Sequence, residues 1–357
     1  MPNRIIVSVT NDLSTDQRVH KVCTSLQAFG FDVLLVGFLQ ADSKILDREY
    51  ATSRFSMWFK KGPFFYAEFS VRLFLLMLFN KSDHLLSNDL DTLLPNYLVS
   101  KIKRNNLVFD SHEIFSDSPE LINRPRVQRF WQGLESFLMP RVKHSYTVCQ
   151  SLANHFNKKL NVEMKVVRNV PYKTTFDRLK HNNKTLIFQG NYNKGRGLDL
   201  AIRCLVFLPD FNLIIVGGGF EFLKGLCREI GVLDRVKFVG KVPFEQLRDY
   251  TKKASIGLLF EEPVGLSFTY SLPNKLFDYI HSDLKIIASP LKEVNSIIDK
   301  YKTGVLLNNR NPKDVGAQIE LLYNADFNFS DYELAKQELN WQKEEKVLAS
   351  VFLPIKK

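Results

Sequence analysis

The chain has little of what would mark several common protein classes. Only four of its 357 residues are cysteine (Cys23, Cys149, Cys204, Cys227), and no two stand in a C-x-x-C spacing. That excludes a disulfide-stapled secreted scaffold and a cysteine-based zinc site, and leaves small core residues in a reducing compartment. Glycine (17) and proline (14) are too scarce for a low-complexity or collagen-like chain. No unit recurs at a fixed period, which removes solenoids and propellers. The strongest apolar run, Leu73–Phe79, falls far short of the roughly 20 residues that a spanning helix needs. The N-terminus opens directly on an apolar strand pattern, Arg4-Ile5-Ile6-Val7-Ser8-Val9, without a signal-peptide layout. The expectation is a cytoplasmic protein, soluble or peripheral at the inner face of the plasma membrane.

What is present is charge of one sign and a regular apolar rhythm. Lys and Arg number 49 against 38 Asp and Glu, a net charge of +11. Such a balance favours a polyanion: nucleic acid, an anionic membrane face or a phosphate-bearing small molecule. No helix-turn-helix, RRM or comparable module is recognisable, so nucleic acid is not expected as a partner.

Short β-branched runs alternate with amphipathic segments along the whole chain. Strands are expected at 5–9, 33–36, 84–87, 107–109, 146–148 and 165–167, and again at 185–188, 213–216, 236–239, 256–259, 285–288 and 305–307. Helical patterns lie between them: 17–29, 92–104, 127–139, 151–159, 198–207, 221–230, 244–253, 274–281, 294–301 and 312–323. Near-continuous apolar strands separated by helices specify parallel sheets covered on both faces. The fold class is therefore α/β, with two doubly wound Rossmann-like domains facing across a cleft. The expected division is 1–171, 172–332 and a last helix in 333–357 that packs back on the first domain. Open parallel sheets bind ligands beyond the carboxyl ends of their strands, which is where chemistry is sought.

Two segments point to a phosphate. Gln189-Gly190-Asn191-Tyr192-Asn193-Lys194-Gly195-Arg196-Gly197 follows a strand and opens a helix, so backbone N–H groups with Lys194 and Arg196 would hold a diphosphate. A glycine-rich turn with solvated cations explains the same residues. Ser271-Leu272-Pro273-Asn274-Lys275-Leu276-Phe277-Asp278-Tyr279 starts a helix, with Ser271 or Leu272 as cap and Pro273 in the first turn. Lys275 there stands against the helix dipole, a local conflict expected where an anion binds; a Lys275–Asp278 surface pair is the alternative. Gly217-Gly218-Gly219 also ends a strand, but position 222 is Phe, so the dinucleotide fingerprint is absent and NAD or FAD is not expected.

In order and spacing these segments resemble the retaining, nucleotide-sugar-dependent glycosyltransferases of family 4 (glycosyl transferases group 1), which have the GT-B fold. Gly190 to Gly197 resembles that family's diphosphate element. Val216 to Gly219 and Phe238-Val239-Gly240-Lys241-Val242-Pro243 resemble its V-G-x-G and F-x-G-x-V-P segments, the latter lying along the nucleotide base. Ser271–Tyr279 with Ile286-Ile287-Ala288-Ser289 resembles its L-P-x-K-x-x-E-Y signature. In the first half, Ser87–Pro95 and Asp110-Ser111-His112-Glu113 are similar to strand-end segments on the acceptor side, and Asn169-Val170-Pro171 resembles the hinge. The chain differs from the family at Asn191, where Arg is usual, at Arg196, where Lys is usual, at Asp278 for Glu, and at Tyr270 for the first glutamate of E-x7-E; Glu261 or Glu262 is a substitute. The glycine-rich turn of many members is replaced by Asn11-Asp12-Leu13-Ser14-Thr15-Asp16-Gln17-Arg18.

The resemblance implies displacement of a nucleoside diphosphate from a sugar by an acceptor hydroxyl, with retention. It implies catalytic roles for His112, Arg196 and Lys275. Donor binding would fall to Gly190, Asn191, Lys194, Gly217, Gly218, Gly240, Lys241, Ser271, Leu272 and Asp278. Asp12, Asp89 and Glu113 would line the acceptor side. The partners implied are a nucleotide-sugar donor and a glycan or lipid-linked acceptor, with no metal and no cofactor. Asp89-Leu90-Asp91 has a D-x-D spacing, but Asp91 reads as the cap of the helix at 92–104 and Asp89 as a cleft-facing carboxylate. Cations mixed with aromatics over 54–66, leading into Leu73–Phe79, suit an anionic bilayer surface or an ordinary loop and core helix. A non-catalytic GT-B protein that binds a sugar nucleotide or partner, and a GT-B epimerase, are the other readings.

Overall fold

The computed structural model describes residues 3–41, 43–118, 121, 123–173, 183–193 and 195–355. The chain divides into two units: Met1–Asn169 with Glu344–Lys357, and Val170–Lys343. Most of the polar stretch 172–184, where the sequence places the break between the domains, and Lys194 lie outside the described residues.

The first unit is built on β1 (Asn3–Ser8), β2 (Phe31–Phe38), β3 (Ala51–Phe55), β4 (His84–Asn88), β5 (Asn106–Ser111), β6 (His144–Thr147) and β7 (Lys165–Val166). These form a seven-stranded sheet in the order β3-β2-β1-β4-β5-β6-β7, parallel throughout. Its helices are α1 (Gln17–Ala28), α2 (Pro63–Phe79), α3 (Leu90–Lys103), α4 (Pro125–Leu138) and α5 (Gln150–Leu160). In α1 the buried Val19, Val22, Cys23 and Leu26 recur at helical spacing, and the Asp16 carboxylate caps the first turn by accepting from the Val19 N–H at 3.0 Å.

The second unit repeats the plan. Its strands are β8 (Thr185–Gln189), β9 (Asn212–Val216), β10 (Val236–Gly240), β11 (Ile256–Leu259), β12 (Lys285–Ala288) and β13 (Gly304–Leu306). They form a six-stranded parallel sheet in the order β10-β9-β8-β11-β12-β13. The helices are α6 (Leu198–Cys204), α7 (Glu221–Glu229), α8 (Phe244–Thr251), α9 (Gly265–Thr269), α10 (Asn274–His281), α11 (Lys292–Tyr301), α12 (Pro312–Asn324) and α13 (Phe329–Glu338). In both sheets the strand order reverses beside the first strand, between β1 and β4 and between β8 and β11. Loops leaving such a point diverge and open a crevice at the carboxyl ends, so the fold itself fixes where a ligand has room.

Three readings of the sequence are corrected. The segment taken as one last helix is two, α13 and α14 (Trp341–Phe352), because the buried Leu339 and Asn340 interrupt it. From Glu344 onward the chain belongs to the first unit: the Glu345 carboxylate accepts from Ser25 Oγ at 2.5 Å, and the Phe352 ring lies 6.2 Å from that of Phe31. Helix α3 begins at Leu90, with Asp89 and not Asp91 at the cap position and without a side-chain cap bond. Helix α10 begins at Asn274, so Pro273 is its cap residue.

Candidate functional site

In the second unit, glycine chemistry weaves three strand ends together. The Gly217 N–H donates to the Gly240 carbonyl at 2.9 Å, the Gly190 N–H to Val216 at 2.9 Å, and the Tyr192 N–H to Gly218 at 2.7 Å. A β-carbon on Gly217 would lie 2.1 Å from the Gly190 carbonyl oxygen, and one on Gly190 would lie 2.8 Å from Arg196 Nη1. Both positions need positive φ, +148° and +120°, which glycine alone supplies readily. On Gly218 a side chain would crowd Lys241 Cε and Asn191 Oδ1 at 3.2 and 3.3 Å. Thus Gly190, Asn191, Arg196, Gly217, Gly218 and Lys241 come together, and Gly240 supports them from β10.

The other wall comes from β11 and α10. Lys275 and Glu261 are both buried, with Lys275 Nζ 2.6 Å from Glu261 Oε1 and 4.1 Å from the Phe188 ring centroid. In place of the alternative reading, a Lys275–Asp278 surface pair, Lys275 is buried against Glu261, which the loop after β11 carries under the first turn of α10. Glu261 Oε2 and Ser271 Oγ have no hydrogen-bond partner among the described residues. Burial pushes the Lys275 pKa below its ordinary value against the pull of Glu261, and the positive charge of Arg196 adds to that fall. The two cations thus feel each other. Buried polar atoms without partners are uncommon in folded proteins and mark a place that a polar ligand would complete.

Sequence reasoning passed over Arg310. Its guanidinium donates to Ser289 Oγ at 3.0 Å, to the Phe260 carbonyl at 3.0 Å and to Glu262 Oε1 at 3.1 Å, bracing the ends of β11 and β12. Gly197, φ +69°, lets α6 close onto that brace; a β-carbon there would meet the Phe260 oxygen at 2.2 Å. No local pattern announces a pairing over 48 or 50 residues. Leu272 is buried in the loop before α10. Asp278 lies on the wall of a cavity of about 220 Å³ with Tyr172, Phe244, Leu247 and Arg248, a cavity whose lining includes none of Gly190, Arg196 or Lys275.

In the first unit the loops after β4 and β5 hold a chain of charges. Arg18 donates through Nε and Nη2 to the two Asp110 oxygens at 2.9 and 2.8 Å. Asp110 is fully buried and also meets His112 Nε2 at 3.1 Å. His112 Nδ1 lies 3.0 Å from Asp89 Oδ2, and its backbone N–H donates to Asp89 Oδ1 at 2.8 Å. Burial alone would raise the Asp110 pKa, but Arg18 and His112 outweigh it and hold the value at about 2. For His112 burial works against the charge, while Asp89 and Asp110 prevail and keep the ring protonated well above its ordinary value.

This geometry alters the reading of His112 as an imidazole free to face a sugar: both of its nitrogens are engaged by carboxylates. Asp89, at φ 58° and ψ 168°, sits in a region that is nearly glycine-only, so its side chain is aimed at His112 at a cost of order 1–3 kcal/mol. Asp12 differs from expectation too. Its two oxygens accept from the Ser14 N–H at 3.0 Å and the Ser14 hydroxyl at 2.9 Å, so they build the turn after β1. Glu113 follows His112, half-buried, and its carbonyl accepts from Ser111 Oγ at 2.9 Å.

Asp91 is the second residue of α3, and its buried Oδ1 has no hydrogen-bond partner among the described residues. Burial first, then the charge of Asp89, pushes its pKa up to about 8. A carboxyl group whose folded value is raised binds its proton more tightly in the folded state. Its cost to stability therefore grows as pH climbs from the unfolded value near 3.9 to the folded one, and is complete above it. Asp91→Asn is expected to gain several kcal/mol over the parent at pH 9, at about 1.4 kcal/mol per pKa unit, and nothing at pH 4, read by urea melts at both.

Residues 183–325 match the family model described as "Glycosyl transferases group 1". The second unit belongs to the group 1 glycosyltransferases. A search of curated proteins found no match to the chain. Among solved structures, sucrose-phosphate synthase from Thermosynechococcus elongatus is similar over 99% of both chains at 13% identity, with a TM-score of 0.78. WaaG, a glycosyltransferase involved in lipopolysaccharide biosynthesis, is similar at 11% identity over 98% of this chain and 99% of its own, TM-score 0.74. Anabaena Alr3699/HepE, solved with UDP-glucose, is similar at 15% identity over 99% and 96%, TM-score 0.67. The two Rossmann-like units of this chain thus have the GT-B fold. In the second unit, the strand ends that carry Gly190 and Glu261 flank the point at which the sheet order reverses, and Gly217 follows the neighbouring β9.

Proposed function

We propose that the protein is a retaining, metal-independent glycosyltransferase. It moves a hexosyl unit from a nucleoside-diphosphate sugar to a hydroxyl of a glycan or glycolipid acceptor. The observation that carries this reading is the cradle after β8, β9 and β11: close-packed glycines, Arg196 beside Gly190, the buried Lys275–Glu261 pair, and Glu261 Oε2 and Ser271 Oγ without a partner among the described residues. When the bond from the anomeric carbon to the diphosphate breaks, its electron pair stays on the leaving oxygen. Fixed cations there stabilise the transition state more than the ground state. Arg196 and Lys275 serve that purpose. Gly218, Gly240, Lys241, Asn191 and Leu272 shape the donor site, and Asp278 is assigned to the ribose. Asp89 and Glu113 are assigned to the acceptor side, and His112 acts there as a fixed imidazolium.

The UDP-glucose held by Alr3699/HepE supports a nucleotide-sugar donor, and the role of WaaG supports cell-surface polysaccharide assembly. A lipid-linked acceptor would place the enzyme at the inner face of the plasma membrane, consistent with a charge of +11. One observation favours a second reading, a sugar-nucleotide binder without turnover: both His112 nitrogens are occupied. A thermal-shift screen with UDP, GDP and ADP tests the donor site. A ligand at a hundred times its Kd adds about 2.7 kcal/mol, or several degrees in Tm. No shift with any of the three overturns the site. Release of nucleoside diphosphate from a panel of UDP-, GDP- and ADP-sugars, only when acceptor is present, separates transfer from binding alone.

A further inference from the structure

Helix α2 is apolar nearly all round, Pro63-Phe64-Phe65-Tyr66-Ala67-Glu68-Phe69-Ser70-Val71-Arg72 continuing into Leu73–Phe79, yet it is not a core helix. Phe65, Phe69, Leu73 and Met77 face the sheet at a four-residue spacing, while Val71, Leu75 and Phe79 stand half a turn away in solvent, Phe79 80% exposed. A helix apolar on every side is expected to be covered on every side. Helix α2 packs on α3 and α3 on α4, and these neighbours extend the exposed surface with Leu98, Ile102, Phe130 and Phe137. No helix of the described residues is long and apolar enough to cross a membrane.

Charge selects the occupant. The three helices hold one acid each, and all three are withdrawn from the outer face. Glu68 is tied by Arg72 at 2.8 Å and accepts from the backbone N–H groups of Trp58 and Phe59. Glu135 is tied by Lys159, and Asp91 is the buried acid described above. At the carboxyl ends of α3 and α4 opens a cavity of about 760 Å³ whose lining carries Lys101, Arg104, Arg141, Lys143 and His144 and no acid. It adjoins the apolar face directly: Arg141 lies over the Phe137 ring at 4.0 Å from its centroid, and Lys101 is next to Ile102. A second copy of this chain would bring its own like-charged rim against this one, which is unfavourable.

We propose that the outer face of α2, α3 and α4 lies on an anionic lipid bilayer, with phosphate headgroups seated in the basic cavity at the ends of α3 and α4. Apolar side chains enter the acyl boundary, and the cations around them meet the headgroups, two contributions that add. The face is separate from the donor site of the second unit, so it stands whether or not the transfer reaction does.

The full chain is tested by flotation with vesicles of phosphatidylcholine alone and of phosphatidylcholine with phosphatidylglycerol. Binding to the mixed vesicles only, lost near 1 M salt where the screening length falls to roughly 3 Å, is the expected result. Lys101→Ala with Arg104→Ala is expected to weaken partitioning about thirtyfold, at roughly fivefold per charge. Phe79→Ser with Ile102→Ser is expected to weaken it about tenfold for each apolar side chain lost. All four positions are exposed, and an unchanged Tm shows that the variants fold. Failure of the parent to float with the mixed vesicles, or equal binding to both vesicle types that the lysine–arginine variant leaves unchanged, overturns the proposal. A dimer that Phe79→Ser with Ile102→Ser dissociates, without any flotation, overturns it in favour of a second copy.

Discussion

Arg196→Ala is expected to lower turnover by about 10²–10³-fold with little change in Tm. The loss corresponds to removing one fixed donor from the place where charge develops, about 2.7–4 kcal/mol of transition-state stabilisation. The fold has little stake in this side chain, since its guanidinium is half-buried and, among the described residues, hydrogen-bonds only to the Asn191 carbonyl, at 3.4 Å. The functional stake is larger. Arg196 closes over Gly190 and lies near enough to Lys275 to depress its pKa, so the pair forms one concentrated positive field. Steady-state kinetics with the donor identified by thermal shift decides the matter. A variant with unchanged kcat/KM would remove Arg196 from the mechanism and leave the leaving group to other cations.

Asp110→Ala is expected to destabilise the first unit by about 3–5 kcal/mol. Removing one partner of a buried ion pair strands the other, and here it strands two: the Arg18 guanidinium, 5% exposed, and the His112 ring. The pH dependence identifies the cause. Asp110 has a folded pKa held at about 2, below its unfolded value, so its contribution is fully present above the unfolded value and fades as pH falls through the folded one. The gap between variant and parent is therefore complete between pH 5 and 7 and narrows below pH 4, read by urea melts. NMR titration of His112 gives a second readout, because losing Asp110 removes one of the two charges that keep the ring protonated.

The residue pattern makes the sheets legible because parallel strands are buried on both faces and read as continuous apolar runs. Ile256–Leu259, Lys285–Ala288 and helix Asn274–His281 have the bounds expected of them. Strand β3 was passed over, since Ala51-Thr52-Ser53-Arg54-Phe55 forms a half-exposed edge with no apolar alternation to betray it. At the site, glycines were readable because close backbone approach leaves no substitute. The ion pairs were not. The carboxylate that Lys275 meets, Glu261, stands fourteen residues earlier across a loop, where no local spacing announces the pair. Arg18 and Asp110, 92 residues apart, give no local signal at all, and only the fold brings them together.

The first unit is assembled from both ends of the chain, since residues from Glu344 onward fold into it. Phe352 lies against Phe31 and Tyr146, and Arg168 is clamped by Glu344 at 2.7 Å. During synthesis the ribosome therefore emits the whole of the second unit before the pieces that seal the first are available. The amino-terminal sheet must wait, with part of its apolar surface uncovered, while its partner unit completes itself alone. Vectorial synthesis thus runs opposite to the order of maturation, and the unit made earliest is the last to close.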